Sequence, residues 1–349
     1  MYKEEKLAIV TPMLSGKGGI ETVLSIVLKD SDTISNFEKI DLIILGNNNS
    51  DEWLKKLPSN IHIHFTTDLS IFRILILLYQ LLLNNYSKVI CMSTNIIKFV
   101  NFIRNIFKMK FTIVSWIHFS LFNEETINPK ILKLADYNLA ISSGIMKQML
   151  SMGIDQNKIS LIFNPVEKKE KIIPVSIGLK PEFAYIGRIL LNDQKNLREL
   201  FDGIALLKEN SIILHMYGDG QVDDCKKYII DNNIEQTIIW HGWVNNPWKD
   251  IKAMDAILLT SKYEGFPMAL LESISYGVPV ISSNCPTGPD DIITQNNGIL
   301  YKMGNIQELA KDILSIKEID FDHSSVRKTS EKYYTNSFSK KFWNSINNI

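Results

Sequence analysis

Cysteine is scarce in this 349-residue chain: Cys91, Cys225 and Cys285 stand far apart, with neither metal-ligand nor redox spacing. That fits a reducing compartment better than a disulfide framework. Net charge is missing too. Lys plus Arg equals Asp plus Glu at 38 each, so overall charge gives no support to nucleic-acid binding. No apolar run is long enough to span a bilayer; the nearest, Leu69 to Leu83, is interrupted by Arg73 and Gln80 and reads as a buried helix. The charged start, Met1 to Lys6, runs straight into a strand, so no export signal is expected and the chain reads as cytoplasmic. A repeat at solenoid period is also absent.

What remains is an alternation of short β-branched runs with longer helical patterns, which calls for parallel sheets covered by helices, an α/β architecture. The first half predicts strands at Leu7 to Pro12, Asp41 to Leu45, Lys88 to Met92, Phe111 to Trp116, Tyr137 to Ile141 and Ile159 to Phe163, with the clearest helix starting near Gly19. A second series follows near Phe183 to Ile186, Ile212 to Tyr217, Thr237 to Trp240, Ala256 to Thr260 and Val278 to Ser282. Between them, residues 167–181 turn to Lys, Glu, Pro and Gly without periodicity, as in a linker. The division is therefore a first domain at 1–166, a second at 182–330, and a C-terminal segment at 331–349. In that segment Phe338, Phe342, Trp343 and Ile346 at helical spacing predict a helix, either simple core closure or packing back on the first domain. Ligands of open parallel sheets bind at the carboxyl ends of strands, so function belongs in those loops.

Three loops carry chemistry. Ser15-Gly16-Lys17-Gly18-Gly19 follows the first strand and opens a helix; backbone N–H groups there suit an anion, although the spacing fits neither a dinucleotide fingerprint nor a Walker loop, and a plain tight turn reads as well. Gly187-Arg188 ends the first strand of the second half, with Lys195 seven residues on; two converging cations would neutralise a diphosphate leaving group, whereas the alternative is a pair of solvated side chains. The sharpest element is Glu264-Gly265-Phe266-Pro267-Met268-Ala269-Leu270-Leu271-Glu272, two carboxylates eight positions apart across a turn and into a helix. Carboxylates accept hydrogen bonds from vicinal hydroxyls, and the helix start between them offers N–H groups to phosphate.

Taken in order, the glycine loop, Gly187-Arg188 with Lys195, Gly218-Asp219-Gly220, His241-Gly242-Trp243-Val244 and Tyr263 through Glu272 resemble family 4 of the GT-B glycosyltransferases over essentially the whole chain. Ser115 to Leu121, Leu139 to Ile145, Phe163 to Glu167, Leu259-Thr260-Ser261 and Cys285 to Ile293 resemble its lipopolysaccharide galactosyltransferase subgroup. Asn164-Pro165, where the family commonly has Asn-Gly, is a variant of that subgroup.

The resemblance implies two Rossmann-like domains facing a central cleft, and retaining transfer of a hexose, galactose first, from a UDP-sugar donor to an oligosaccharide or glycolipid acceptor such as lipopolysaccharide core. It also implies residue roles. Glu272 would hold the ribose, Arg188 and Lys195 the diphosphate, and Gly16, Gly18 and Gly19 the phosphates from the other domain. Trp243 and Val244 would meet the base, and Gly218, Asp219 and Leu271 complete the donor contacts. Glu264, with Gly265, Phe266 and Met268, would hold the sugar. His118 would donate or accept a hydrogen bond at the sugar, although a lone His between Ile117 and Phe119 is ordinarily a core residue. Asn192-Asp193-Gln194-Lys195 lacks the family's frequent Lys-Gly pair. No cofactor or metal is expected: Asp223-Asp224 and Asp290-Asp291 are adjacent pairs, not the spaced pair of metal-dependent transferases.

One last absence concerns the membrane. Leu69 to Asn123 holds no Asp or Glu but carries Arg73, Lys88, Lys98, Arg104, Lys108 and Lys110 among Phe99, Phe102, Phe107 and Phe111. Such a segment suits an anionic membrane or glycolipid, with a helix of solvated basic face as the alternative. Rival functions are transfer from UDP-glucose or UDP-N-acetylglucosamine to a capsule, teichoic acid or glycoprotein glycan, an inactive partner protein of the same fold, and a sugar-nucleotide epimerase, which would need a paired acid and base that the sequence does not offer.

Overall fold

The computed structural model describes residues 5–14, 18–29, 36–46, 53–66, 70–208, 211–319 and 321–349. The chain divides into two units, Met1–Pro165 with Thr335–Ile349, and Val166–Tyr334. Each is built on its own parallel sheet.

In the first unit the strands are β1 (Glu5–Pro12), β2 (Phe37–Leu45), β3 (Ile61–Phe65), β4 (Lys88–Cys91), β5 (Thr112–Trp116), β6 (Tyr137–Ala140) and β7 (Ile159–Leu161), in spatial order β3-β2-β1-β4-β5-β6-β7. Leu7 to Val10 and Val89 to Cys91 are fully buried, as central strands of a sheet covered on both faces must be. Helices α1 (Gly19–Lys29), α2 (Ser70–Leu83), α3 (Thr94–Ile106) and α4 (Ser143–Ser151) connect them. Ser93 and Ser142 cap α3 and α4 by accepting from the N–H groups of Ile96 and Ile145, which fixes where each helix starts. Strand β3 was not expected. In Ile61-His62-Ile63-His64-Phe65 two imidazoles break the apolar run, which a strand at the edge of the sheet tolerates because one side is free.

The second unit repeats the plan with β8 (Glu182–Ile186), β9 (Ile213–Tyr217), β10 (Ile238–Gly242), β11 (Ala256–Leu259), β12 (Val280–Ser283) and β13 (Gly298–Tyr301), ordered β10-β9-β8-β11-β12-β13. Its helices are α5 (Leu197–Ala205), α6 (Val222–Asp231), α7 (Met268–Ser275), α8 (Pro289–Ile292), α9 (Ile306–Ser315) and α10 (His323–Lys328). Edge strand β13 was also missed, because Asn296-Asn297-Gly298 reads as a turn. Gly298 is required by packing instead: a Cβ there would stand 2.3 Å from the Val280 carbonyl oxygen of β12.

Three expectations need correction. Residues 167–181 are not a free linker: Ile173 is fully buried, its N–H donates to the Tyr276 carbonyl at 2.9 Å, and the Pro174 carbonyl accepts from Met254 N–H at 2.9 Å, so the segment belongs to the second unit. The C-terminal segment divides at 334/335: Glu331–Tyr333 is a 3-10 turn of the second unit, and the final helix α11 (Thr335–Asn347) belongs to the first. Trp343 of α11 donates to the Val27 carbonyl of α1 at 3.2 Å, and Phe342 packs against Trp116 with ring centroids 4.9 Å apart. Helix α2, expected to be buried, covers the sheet with Leu77 and Leu81 and turns Phe72, Leu75, Tyr79, Leu82 and Leu83 outward. An outer-layer helix can bury only one stripe, and this one is apolar on both.

Candidate active site

In the second unit the order of strands reverses between β8 and β11, and the crevice at such a point collects the loops that follow both strands. Past β8, Gly187 N–H donates to the Tyr217 carbonyl at 3.0 Å, and Gly218 N–H to the Gly242 carbonyl at 2.8 Å. Glycine is required at 218: its φ is +157° and a Cβ would lie 1.8 Å from the Gly187 oxygen. The Arg188 carbonyl accepts from the buried Tyr185 hydroxyl at 2.6 Å, which fixes the backbone from which the guanidinium projects. Arg188 itself is exposed and uses Nη2 to donate to Gln194 Oε1 at 2.6 Å. Gln194, buried, donates in turn to the Tyr263 carbonyl at 3.0 Å. One amide therefore ties the arginine to the loop after β11.

Glu264 is buried on that loop, and its Oε1 accepts both from Lys195 Nζ at 2.7 Å and from Ser261 Oγ at 2.6 Å. The loop is secured by Glu264 N–H donating to the Pro286 carbonyl at 3.1 Å and by the Thr287 hydroxyl donating to the Glu264 carbonyl. A buried carboxylate held this way is expensive to strip of its cation, since the charge would be left without compensation. Arg188 with Gln194, and Lys195 with Ser261 and Glu264, thus form two hydrogen-bonded groups joined through the backbone of Tyr263 and Glu264.

Helix α7 starts at Met268 behind Pro267, and no side chain caps it, so its first N–H groups are open to an anion. Gly288 allows the turn to close, because a Cβ there would meet Pro267 Cδ at 2.7 Å. Phe266 is buried with its ring edge toward Tyr333, centroids 5.5 Å apart, so its side chain anchors the turn while its backbone stays near the helix start. Leu271 is fully buried in the core. Glu272, one turn into α7 and half-buried, accepts from Trp248 Nε1 at 2.9 Å. Burial raises its pKa; the Trp248 bond and the charge of Lys169 pull it back, and Glu167 pushes it up further.

The segment after β10 presents Trp243 with 45% of its surface exposed, and Val244 beside it. Beneath them His241 stacks on Tyr217 with centroids 4.2 Å apart. Asp219 is exposed, and its Oδ1 accepts from Gly220 N–H at 2.8 Å.

In the first unit Gly18 and Gly19 stand at the start of α1, beyond the carboxyl end of β1; Gly16 lies outside the described residues. His118 follows β5, is 9% exposed, and packs against Trp116 with centroids 4.7 Å apart. Burial pushes its pKa down to about 3, so the ring is neutral. His118 Nε2 and Trp116 Nε1 are both buried without a hydrogen-bond partner among the described residues. Unpaired buried polar atoms are uncommon in folded proteins.

Gln194, Ser261 and Trp248 were not singled out by sequence. Gln194 and Ser261 lie inside quoted motifs, but an amide or hydroxyl signals nothing until its partner is seen. Trp248, a core residue, stands in no quoted motif. Two Asp-x-Asp triplets do occur, Asp30-Ser31-Asp32 and Asp320-Phe321-Asp322. Asp322 caps α10 by accepting from the N–H groups of Ser324 and Ser325, while residues 30–32 and Asp320 lie outside the described residues.

Comparison with known proteins identifies the family. A family profile described as "Glycosyl transferases group 1" matches residues 167–336. The lipopolysaccharide 1,6-galactosyltransferase of Salmonella typhimurium is 35% identical, covering 98% of each chain, and that of Escherichia coli K12 is 34% identical, covering 95% of each. The apo form of the lipopolysaccharide outer core galactosyltransferase WaaB superposes with a TM-score of 0.85 over 98% of this chain and 99% of its own, at 35% identity. With such relatives spanning nearly its whole length, the chain belongs to the group 1 glycosyltransferases of GT-B fold and is itself a glycosyltransferase.

Proposed function

We propose that this enzyme is a retaining, metal-independent galactosyltransferase that moves galactose from UDP-galactose to a lipopolysaccharide-core saccharide. The observation that carries the reading is the pair of hydrogen-bonded groups at the β8/β11 switch point, Arg188–Gln194 and Lys195–Glu264, in a chain similar throughout to lipopolysaccharide 1,6-galactosyltransferases. Arg188, Lys195 and the open start of α7 are read as the diphosphate site, Glu272 as the ribose carboxylate, Trp243 and Val244 as the base contacts, and Glu264 with the backbone of 265–268 as the hexose site.

The chemistry follows from those charges. As the bond from the anomeric carbon to the UDP oxygen breaks, negative charge grows on the β-phosphate, where the cations and helix start stabilise it. The acceptor hydroxyl attacks on the same face, forms the new glycosidic bond and gives its proton to the departing phosphate oxygen. No enzymic base is required. Positioning and electrostatics of this kind lower barriers by several kcal/mol, roughly the range measured when one such group is removed.

Incubation with UDP-galactose, UDP-glucose and UDP-N-acetylglucosamine, with and without core oligosaccharide, tests the reading. UDP release and an α-linked product are expected with UDP-galactose, and turnover unchanged by EDTA. Preference for another donor, inversion at the anomeric carbon, or loss of rate with EDTA would each overturn the corresponding part.

We also place the acceptor-bearing surface at the cytoplasmic face of an anionic membrane. No described helix is long and apolar enough to cross a bilayer. Support for peripheral contact comes instead from the outward stripe of α2 and from Phe102, Ile106 and Phe107 at the end of α3, exposed beside Lys98, Lys108 and Lys110 in a stretch without acidic residues. The protein should float with vesicles containing anionic lipid and release them in high salt. Equal binding to neutral vesicles would remove the electrostatic part of the proposal, and binding to neither would remove all of it.

A further inference from the structure

Glu272 has a neighbour whose chemistry the reading above leaves unused. Trp248 lies in a 3-10 turn, Pro247–Lys249, five residues beyond Trp243. Its ring is 4% exposed and stacks on Tyr276, one turn along α7 from Glu272, with centroids 4.9 Å apart and planes inclined by 19°. Lys169 stands over the other partner of that stack, its Nζ 5.6 Å from the Tyr276 centroid, and lies 3.4 Å from Glu167 Oε2. Lys171 Nζ donates to the Ile251 carbonyl at 3.1 Å. The segment 167–181, the turn at 247–249 and α7 therefore meet around one carboxylate.

A core tryptophan needs only an acceptor for its indole N–H, and a backbone carbonyl is the usual one. Here the acceptor is Oε2 of Glu272, 2.9 Å away. The bond does two things that a backbone acceptor would not. It fixes the rotamer of the carboxylate and occupies one oxygen, so that the other is left to accept from a diol. It also ties the chain just past Trp243 to the helix that carries Glu272, so base contact and ribose contact keep a constant separation.

We propose that Trp248 is a positioning residue for the donor nucleoside: its indole N–H orients Glu272 and locks the 243–248 segment to α7. The inference rests on the assignment of Glu272 to the ribose. Hydrogen bonds to charged groups are worth about 1.5–3 kcal/mol, and one that also keeps a half-buried carboxylate ionised acts on affinity through pH as well. The groups that face Glu272 are Lys169, which favours its ionised form, and Glu167, which opposes it, with Tyr276 alongside. Since the Trp248 bond lowers the pKa of Glu272, losing it moves the acid limb of UDP binding to higher pH.

The test is calorimetric titration of UDP into the full chain between pH 5 and pH 8, for wild type, Trp248→Phe, Tyr276→Leu and Glu272→Gln. Trp248→Phe keeps a ring against Tyr276 but removes the donor; it should weaken UDP binding about tenfold or more, raise KM for the donor with kcat nearly unchanged, and shift the acid limb upward. Titration of the phosphates of UDP is common to all variants and cancels in the comparison. Tyr276→Leu removes the stack but keeps the donor and should leave that limb in place. A pH profile of Trp248→Phe superimposable on wild type, with Glu272→Gln weakened, would overturn the role of Trp248 and leave the ribose assignment standing. Undiminished binding by Glu272→Gln would overturn the assignment itself. Should Trp248→Phe fail to fold, the wild-type protein labelled at its six indole nitrogens provides the measurement. One indole N–H resonance should titrate in the acid range and move on Glu272→Gln; six resonances indifferent to both would overturn the proposal.

Discussion

The two units share a plan but differ in the polar groups that follow their central strands. At the strand ends of the second unit, Arg188 is bonded to Gln194, Lys195 and Ser261 to Glu264, and Trp248 to Glu272. In the first, His118 and Trp116 keep buried nitrogens unpaired, and α2 turns an apolar stripe outward. A site whose groups are already paired and held is preorganised for a ligand of fixed chemistry, as the nucleotide part of a donor is.

The largest effect expected from disturbing this contrast is structural. Trp343→Ala, which empties the contact between α11 and α1, should destabilise the first unit by about 3–5 kcal/mol, seen in scanning calorimetry as a lowered transition, while a UDP-stabilised transition of the second unit stays in place. If UDP protection were lost together with the first unit, independent preorganisation of the second would be contradicted.

Next comes charge at the donor. Arg188→Ala or Glu264→Gln should lower kcat/KM by about 10²–10³-fold, with Glu264→Gln acting on turnover and Arg188→Ala on UDP affinity as well. Rate assays paired with UDP titration separate the two, and equal negligible effects would break the assignment.

A smaller effect is expected at His118. The family resemblance implies a hydrogen bond from His118 to the sugar; on that reading His118→Phe should reduce kcat by about tenfold. The same residue has a signature in stability. Its folded pKa lies near 3 against an ordinary value of 6.5, so the unfolded chain gains a proton that the native state refuses, and stability falls as pH drops below about 6.5. Acid unfolding of His118→Phe should show a shallower slope between pH 6 and pH 4; an unchanged slope would show that the ring is not buried neutral.

The smallest effect concerns Asp41 of β2, fully buried and bonded to His64 at 2.6 Å, Tyr86 at 2.8 Å and Lys39 at 3.0 Å. Burial raises its pKa, but these three partners together hold it below the ordinary value of 3.8. It therefore stabilises the first unit above that value, a contribution lost only as pH falls through the depressed one. Asp41→Asn should leave donor affinity untouched and lower stability near neutral pH, as urea unfolding would show.

Much of this was legible in the sequence where chemistry and spacing coincide. Eleven strands could be read from their β-branched and apolar runs, whereas β3 and β13 escaped because His62 and His64 break the first run and Asn296-Asn297-Gly298 makes the start of the second read as a turn. Residues 167–181 looked like a linker because polar composition hides single anchors such as Ile173. The carboxylate pair announced itself through its eight-residue step. Gln194 and Trp248 did not, since each acts through a partner 69 or 24 positions away, and such pairings exist only once the fold has formed.

The central claim is that the loops after β8 and β11 hold the donor. A crystal structure of the chain soaked with UDP tests it most directly. The account predicts the β-phosphate within hydrogen-bonding distance of Arg188 and the start of α7, and the ribose on Glu272. UDP bound elsewhere, or a ribose with no contact to Glu272, would contradict it.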